Sequence, residues 1–215
     1  MIEPMEGLLL VISGPSGAGK GTVVKELIPD DMYALSISAT TRQPRPGEVH
    51  GQEYFFTTKQ DFERLIAEDM LLEHAMYLDN YYGTPREYVA SQIAGGKVVI
   101  LEIEVEGALQ VKEKFPDAVL IFIAPPSLET LERRLVGRNT EDAATIASRL
   151  KKARGELQQV DRYDYIVEND RVDLAAEKVN AIIGAERLKP ARLKTSTLFR
   201  KLGIKAECCK AASLI

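Results

Sequence analysis

The chain of 215 residues has no tryptophan, only two histidines and only two cysteines. Cys208 and Cys209 are adjacent and close to the C-terminal end, so they supply neither a disulfide framework nor a four-ligand metal site, and a reducing compartment is expected. They also miss the prenylation pattern, which needs cysteine fourth from the end. His50 and His74 lack metal-ligand spacing, which leaves surface or packing roles. No apolar run approaches the roughly 20 residues that span a bilayer. Met1 to Glu6 carry Glu3 and Glu6 where a signal peptide would start with cations, so a cytoplasmic protein with no membrane partner is expected. An excess of one charge is missing too: 28 Lys and Arg stand against 32 Asp and Glu, for a net charge of -4. Global attraction to nucleic acid is thereby excluded, and any anion site must be built locally.

What is present is an alternation of apolar runs with helical segments. Leu8 to Ile12, Lys97 to Ile103, Ala118 to Ala124 and Tyr163 to Val167 read as strands apolar on both faces, the pattern of a parallel sheet covered by helices. A helix from Lys20 to Ile28 stops before Pro29. The segment "TPREYVASQIAGG" offers Thr84 as N-cap, Pro85 at the first helical position, Glu87 at the third and a glycine stop. Residues 36–83 are richer in aromatics, turn residues and short strands such as "EYFFT", and read as an inserted subdomain. Around Gly137 to Asp142 two helical patterns meet over a cationic stripe, and read as a helical lid. No internal repeat is present, and after Lys189 the pattern fades into a basic tail.

Directly after the first strand comes "GPSGAGKGT", Gly14 to Thr22. In a strand-loop-helix context, glycines let successive backbone N–H groups face a polyphosphate, the helix N-terminus favours negative charge, and Lys20 adds a cation. Gly14, Pro15, Ser16, Gly17, Ala18, Gly19, Lys20, Gly21 and Thr22 are therefore the candidate ATP-binding residues. The bland alternative is a tight glycine turn with no ligand. One position is unusual: the residue after the lysine is normally Ser or Thr, which donates a hydroxyl to magnesium, and here it is Gly21. Thr22 lies about 100° further round the helix and does not inherit that geometry. The phrase "GKGT" resembles the loop of adenylate kinases, in which the metal is held mainly through water.

The insert carries "SISATTRQPRPGEVHGQEYFF" and "LLEHAMYLDNYYGTP". Two guanidiniums, Arg42 and Arg45, with the phenols of Tyr54 and Tyr82, suit a dianionic monophosphate. A carboxylate such as Glu73 suits guanine, whose N1–H and 2-amino group are adjacent donors; adenine offers a bare acceptor there. With these segments, "IFIAPPS" and "ILEIEVEGA", the chain resembles the guanylate kinases from about Gly7 to Lys189. The resemblance implies a three-layer α/β fold of the P-loop NTPase type with a central parallel sheet, an inserted GMP-binding subdomain and a small helical lid. It implies core segments 1–35, 84–133 and 150–189, an insert over 36–83, a lid over 134–149 and a tail over 190–215.

The resemblance also implies ATP-dependent phosphorylation of GMP, and of dGMP, with Mg2+ as cofactor. Ser38, Arg42, Arg45, Tyr54, Glu73, Tyr82, Thr84 and Glu104 match GMP-contacting positions. Glu104 replaces a more common Asp, adding a methylene, and Glu106 replaces a Gln. Lys20, Arg42, Arg134, Arg138 and Arg149 are the implied catalytic residues, Asn169 an implied nucleotide contact, and Glu102 a carboxylate in the outer shell of the metal, through water. Phe55, Phe56 and Leu65 suit a small core better than a stacking platform. Two alternatives remain: another monophosphate kinase such as adenylate kinase, and a guanylate-kinase-like binding module without catalysis. The retained Gly14, Gly19, Lys20 and lid arginines speak against the module. Oligomeric state is left open.

Overall fold

The computed structural model describes residues 7–27, 31–77, 79–136, 143–193 and 201. The apolar runs become the strands β1 (Leu8–Ser13), β7 (Val98–Glu102), β8 (Val119–Ala124) and β9 (Tyr165–Glu168). A further strand, β2 (Tyr33–Leu35), completes a five-stranded sheet of order β2-β7-β1-β8-β9 in which every pairing is parallel. Side chains alternate across β1. Leu8, Leu10 and Ile12 pack with Val23 and Val24 of α1 (Lys20–Leu27) and with Val179 and Ile183 of α7 (Val172–Arg187). Leu9 and Val11 face the other way, toward Val89 of α3 (Arg86–Ala94) and Val111 of α4 (Val105–Lys114). Helices on both faces of a buried parallel sheet make the expected three layers, and each fully buried aliphatic side chain contributes about 1.5–3 kcal/mol.

The insert forms its own mixed sheet, from β3 (Ser38–Thr40), β4 (Tyr54–Phe56), β5 (Leu71–Tyr77) and β6 (Asn80–Pro85), in the order β4-β3-β6-β5. Its small core is Ala39, Phe62 and Leu71, with Phe55, Leu65 and Tyr81 packed against them. Phe62 comes from α2 (Lys59–Ala67), whose N-cap Thr58 accepts a hydrogen bond from the Asp61 backbone. The expected packing role of Phe55 and Leu65 is met; Phe56 is half-buried beside Tyr54.

Two further helices, α5 (Leu128–Val136) and α6 (Ala143–Leu157), share the cluster Leu131, Leu135 and Ala153. α6 runs unbroken from Ala143 to Leu157, through the 149/150 boundary expected between lid and core. Arg138 and Asn139 lie outside the described residues, as do Cys208 and Cys209.

One helix boundary differs from expectation. Pro85, not Thr84, is the N-cap of α3, without a side-chain cap bond. Thr84 belongs to β6 and is fully buried, and its hydroxyl is used elsewhere.

Candidate active site

The loop after β1 turns on Gly14, Gly17 and Gly19, all at positive φ, and leads into α1 at Lys20. The Lys20 ammonium donates to the carbonyl oxygens of Gly14, at 2.6 Å, and Pro15, at 3.3 Å. Burial lowers its pKa, opposed by the nearby carboxylates of Glu102, Glu156 and Glu104. The cation is therefore preformed at the loop, held by carbonyls that a polyphosphate would replace.

Gly21 explains itself through its neighbour. A Cβ there would lie 3.1 Å from Oε1 and 3.3 Å from Oε2 of Glu102, so a Ser or Thr side chain would press on the carboxylate, which would have to shift to admit it. Partial desolvation raises the Glu102 pKa, with Lys20 and Lys25 opposing. Among the described residues no group of three or more His, Cys, Asp and Glu side chains could hold a metal ion. The donor set suits an ion carried by phosphates and water beside a single carboxylate.

Asn169 and Arg134 brace the loop from below. Asn169 is buried and its amide donates to the Ala18 carbonyl at 2.8 Å. The Arg134 guanidinium, from α5, donates to Asn169 O at 2.9 Å and to Ala18 O at 3.4 Å. Both residues touch the nucleotide loop itself. Arg149 is on α6 and half-buried.

A cavity of about 470 Å³ separates the insert from the C-terminal end of the parallel sheet, where ligands of open α/β sheets bind. Ser38, Tyr54, Glu73, Tyr82 and Glu104 all line it. The ladder between β5 and β6 slips between Leu71 and His74, an irregularity of the kind that re-aims side chains, and Glu73 sits within it. Glu73 is 6% exposed. The Thr84 hydroxyl donates to its Oε1 at 2.7 Å, and a Cβ on Gly107 would come within 2.8 Å of Oε2. Desolvation pushes its pKa up to about 6, with Thr84 opposing. Thr84 thus serves the carboxylate and not the helix, which is why it is not the N-cap.

Arg42 stands beside the Tyr54 ring, its guanidinium carbon 5.3 Å from the centroid, and Tyr54 and Tyr82 meet edge to face at 6.0 Å. Its fork donates to Glu48 Oε1 at 2.9 Å and to Gln43 O at 2.8 Å. Glu48 Oε2 accepts from the Arg45 backbone N–H at 2.7 Å. These bonds hold the Glu48 carboxyl below its ordinary pKa. The Arg45 side chain stays exposed.

The sequence reading missed Glu48, although the turn from Arg45 to Glu48, closed by Glu48 N–H to Arg45 O at 3.0 Å, follows from "RPGE". It also missed Lys152, which reaches the cavity from α6 and which no local pattern marks. His50 packs edge to face on Phe55, and His74 presents its backbone to Gln110, in line with the roles expected for them.

Comparison with known proteins agrees with this geometry. The family model described as guanylate kinase matches residues 6–186. The guanylate kinases of Oceanobacillus iheyensis and Bacillus subtilis are each 53% identical over 189 residues, 87% of this chain and 92% and 93% of theirs. Among solved structures, guanylate kinase from Anaplasma phagocytophilum is 31% identical and superposes with a TM-score of 0.73, covering 94% of this chain and 98% of that one. A match that runs from the glycine loop through both sheets to α7 places the chain in the guanylate kinase family.

Proposed function

We propose that the chain transfers the γ-phosphoryl group of ATP to GMP, and to dGMP, releasing GDP or dGDP and ADP. The observation that carries the reading is Glu73: a buried carboxylate on the cavity wall, bonded by Thr84, suits the paired donors of guanine and repels the acceptor edge of adenine. Ser38, Tyr54, Tyr82 and the Arg42 and Arg45 pair then hold the rest of GMP, with its phosphate toward the Lys20 loop.

An oxygen of the GMP phosphate forms the new bond to Pγ as the bond from Pγ to the β-bridging oxygen breaks, and ADP leaves with that electron pair. The transition state is loose, so alignment and charge neutralisation supply most of the catalysis. Lys20 meets the phosphate chain on exchanging its bonds to Gly14 and Pro15 for phosphate oxygens. Arg134, Arg138 and Arg149 offset charge on the transferred group, Arg134 by giving up the Ala18 and Asn169 carbonyls. Asn169 acts on ATP through the loop it supports. Glu102 would hold magnesium through water when the ion is bound with ATP, and the ion would supply charge neutralisation at the phosphates.

Coupled turnover across GMP, dGMP, AMP, UMP and TMP with a magnesium titration tests this. GMP and dGMP are expected to lead by orders of magnitude; AMP equal to GMP would overturn the reading.

A further inference from the structure

Glu104 is the residue preceding α4 and its N-cap, yet its side chain makes no cap hydrogen bond. An acidic N-cap ordinarily accepts from the first turn of its own helix. Here the carboxylate instead reaches Lys152 on α6, with Oε2 2.5 Å from the ammonium. The same ammonium lies 3.8 Å from Glu156 Oε1, one turn further along α6, and Glu156 is the better buried of the two carboxylates at 12% side-chain exposure against 66% for Glu104. One lysine is thus steadied by its own helix and extends to the wall of the acceptor cavity.

The cavity needs that cation. Glu73, Glu102, Glu104 and Glu106 all line it, and among the described residues Lys152 is its one cationic lining side chain. Without a partner, Glu104 would be repelled by its neighbours and would sample its rotamers in solvent, at an entropic cost to any ligand that must fix it. The length of the Glu104 side chain supplies the reach toward α6.

We infer that Lys152 is a positioning residue, which holds the Glu104 carboxylate on the acceptor wall, where it accepts the second hydrogen of the guanine 2-amino group, the first going to Glu73, and so ties α6 to guanine recognition. The inference rests on the proposed GMP kinase reading. It gives Lys152 no contact with ATP or with the transferred phosphoryl group.

The test is a double-mutant cycle on the full chain, with Lys152→Met, which keeps the apolar stem, Lys152→Arg, Glu104→Gln and Lys152→Met with Glu104→Gln. KM for GMP, KM for ATP, kcat and the inhibition constant of IMP, which lacks the 2-amino group, are measured for each. Lys152→Met should raise KM for GMP by roughly two- to fivefold, the range an exposed ion pair supports. KM for ATP, kcat and the IMP constant should stay within about a factor of 1.5 by the same reasoning. Lys152→Arg should restore KM for GMP, and in the Glu104→Gln background Lys152→Met should have no further effect. Equal effects of Lys152→Met in both backgrounds, an equal change for IMP, or a change confined to kcat or KM for ATP would overturn the inference. A wild-type chain that neither binds nor phosphorylates GMP would overturn the underlying reading as well, whereas active wild type with an additive cycle overturns the positioning role alone.

Discussion

In the proposed GMP kinase reading Glu73 couples recognition to stability, because the environment that aims it also disfavours its charge. With a folded pKa near 6 against an ordinary 4.5, the native protein holds more proton than the unfolded chain between those values. Stability contributed by this group therefore falls as pH rises through that window, and the penalty is complete above it. Glu73→Gln keeps an acceptor for the Thr84 hydroxyl and removes the charge. Its stability relative to wild type, measured by urea unfolding, should improve by about 1 kcal/mol between pH 5 and pH 8. The functional effect runs the other way: kcat/KM for GMP in wild type should decline as pH falls below about 6, and the variant should be weak at every pH. A wild-type profile flat down to pH 5 would show that guanine is read elsewhere. Glu48 has the opposite character, its ionised form favoured by Arg42 and the Arg45 backbone. Replacing it with Gln loosens the Arg42 fork and should raise KM for GMP roughly three- to tenfold, given what hydrogen bonds to charged groups contribute. Glu73 could be singled out in the sequence because a carboxylate suits guanine and the surrounding segments have a family pattern. Glu48 could not, since the four residues of the turn look the same whether or not the acid grips an arginine outside it.

Among elements, the long buried strands announce themselves and the short ones do not. β1, up to Ser13, and β8 are unbroken apolar runs because both faces are covered by helices. β2 has three residues and pairs only with β7, so hardly any periodicity betrays it. Thr84 misled for a related reason: a Thr-Pro step before a helical pattern is a fair cap signal, and only the fold brings Glu73 opposite. The attachment of the insert to the core is another tertiary feature. Gln110 of α4 donates its amide to His74 O and accepts from His74 N–H, both at 3.2 Å, completing the ladder where β5 slips from β6. Lys114 adds a bond to Leu71 O at 3.0 Å and one to Asp69 at 2.7 Å. Since His74 adjoins Glu73, this seam fixes the Glu73 carboxylate relative to the sheet. Gln110→Ala leaves two half-buried backbone groups without their partner and should cost about 1–3 kcal/mol in denaturant unfolding. KM for GMP should rise with it while KM for ATP does not; equal rises would mean the seam serves the whole fold and not the acceptor side.

Across the molecule, the apolar cores and the polar cleft are separate, which makes catalysis removable without unfolding. The two large clusters lie on opposite faces of the parallel sheet, and Lys20 belongs to neither. Alternation of strands and helices made this layered plan readable, but the strand order came from crossovers that a single sequence does not spell out. Lys20 itself is the sharpest test of the plan. Its ammonium is satisfied by two loop carbonyls while burial lowers its pKa, so folding gains little from the charge. In Lys20→Met the stem keeps its packing and the charge disappears. Thermal unfolding should change little, or shift upward, because a partly desolvated cation has been removed. Turnover should fall by at least about 100-fold, the scale on which single preorganised electrostatic contacts act in transition states. Near-normal turnover in a folded Lys20→Met protein would mean that the loop does not carry the phosphates, and a large loss of stability would mean that the lysine is structural. The separation predicts neither outcome, because the charge is buried for a ligand that the fold alone does not need.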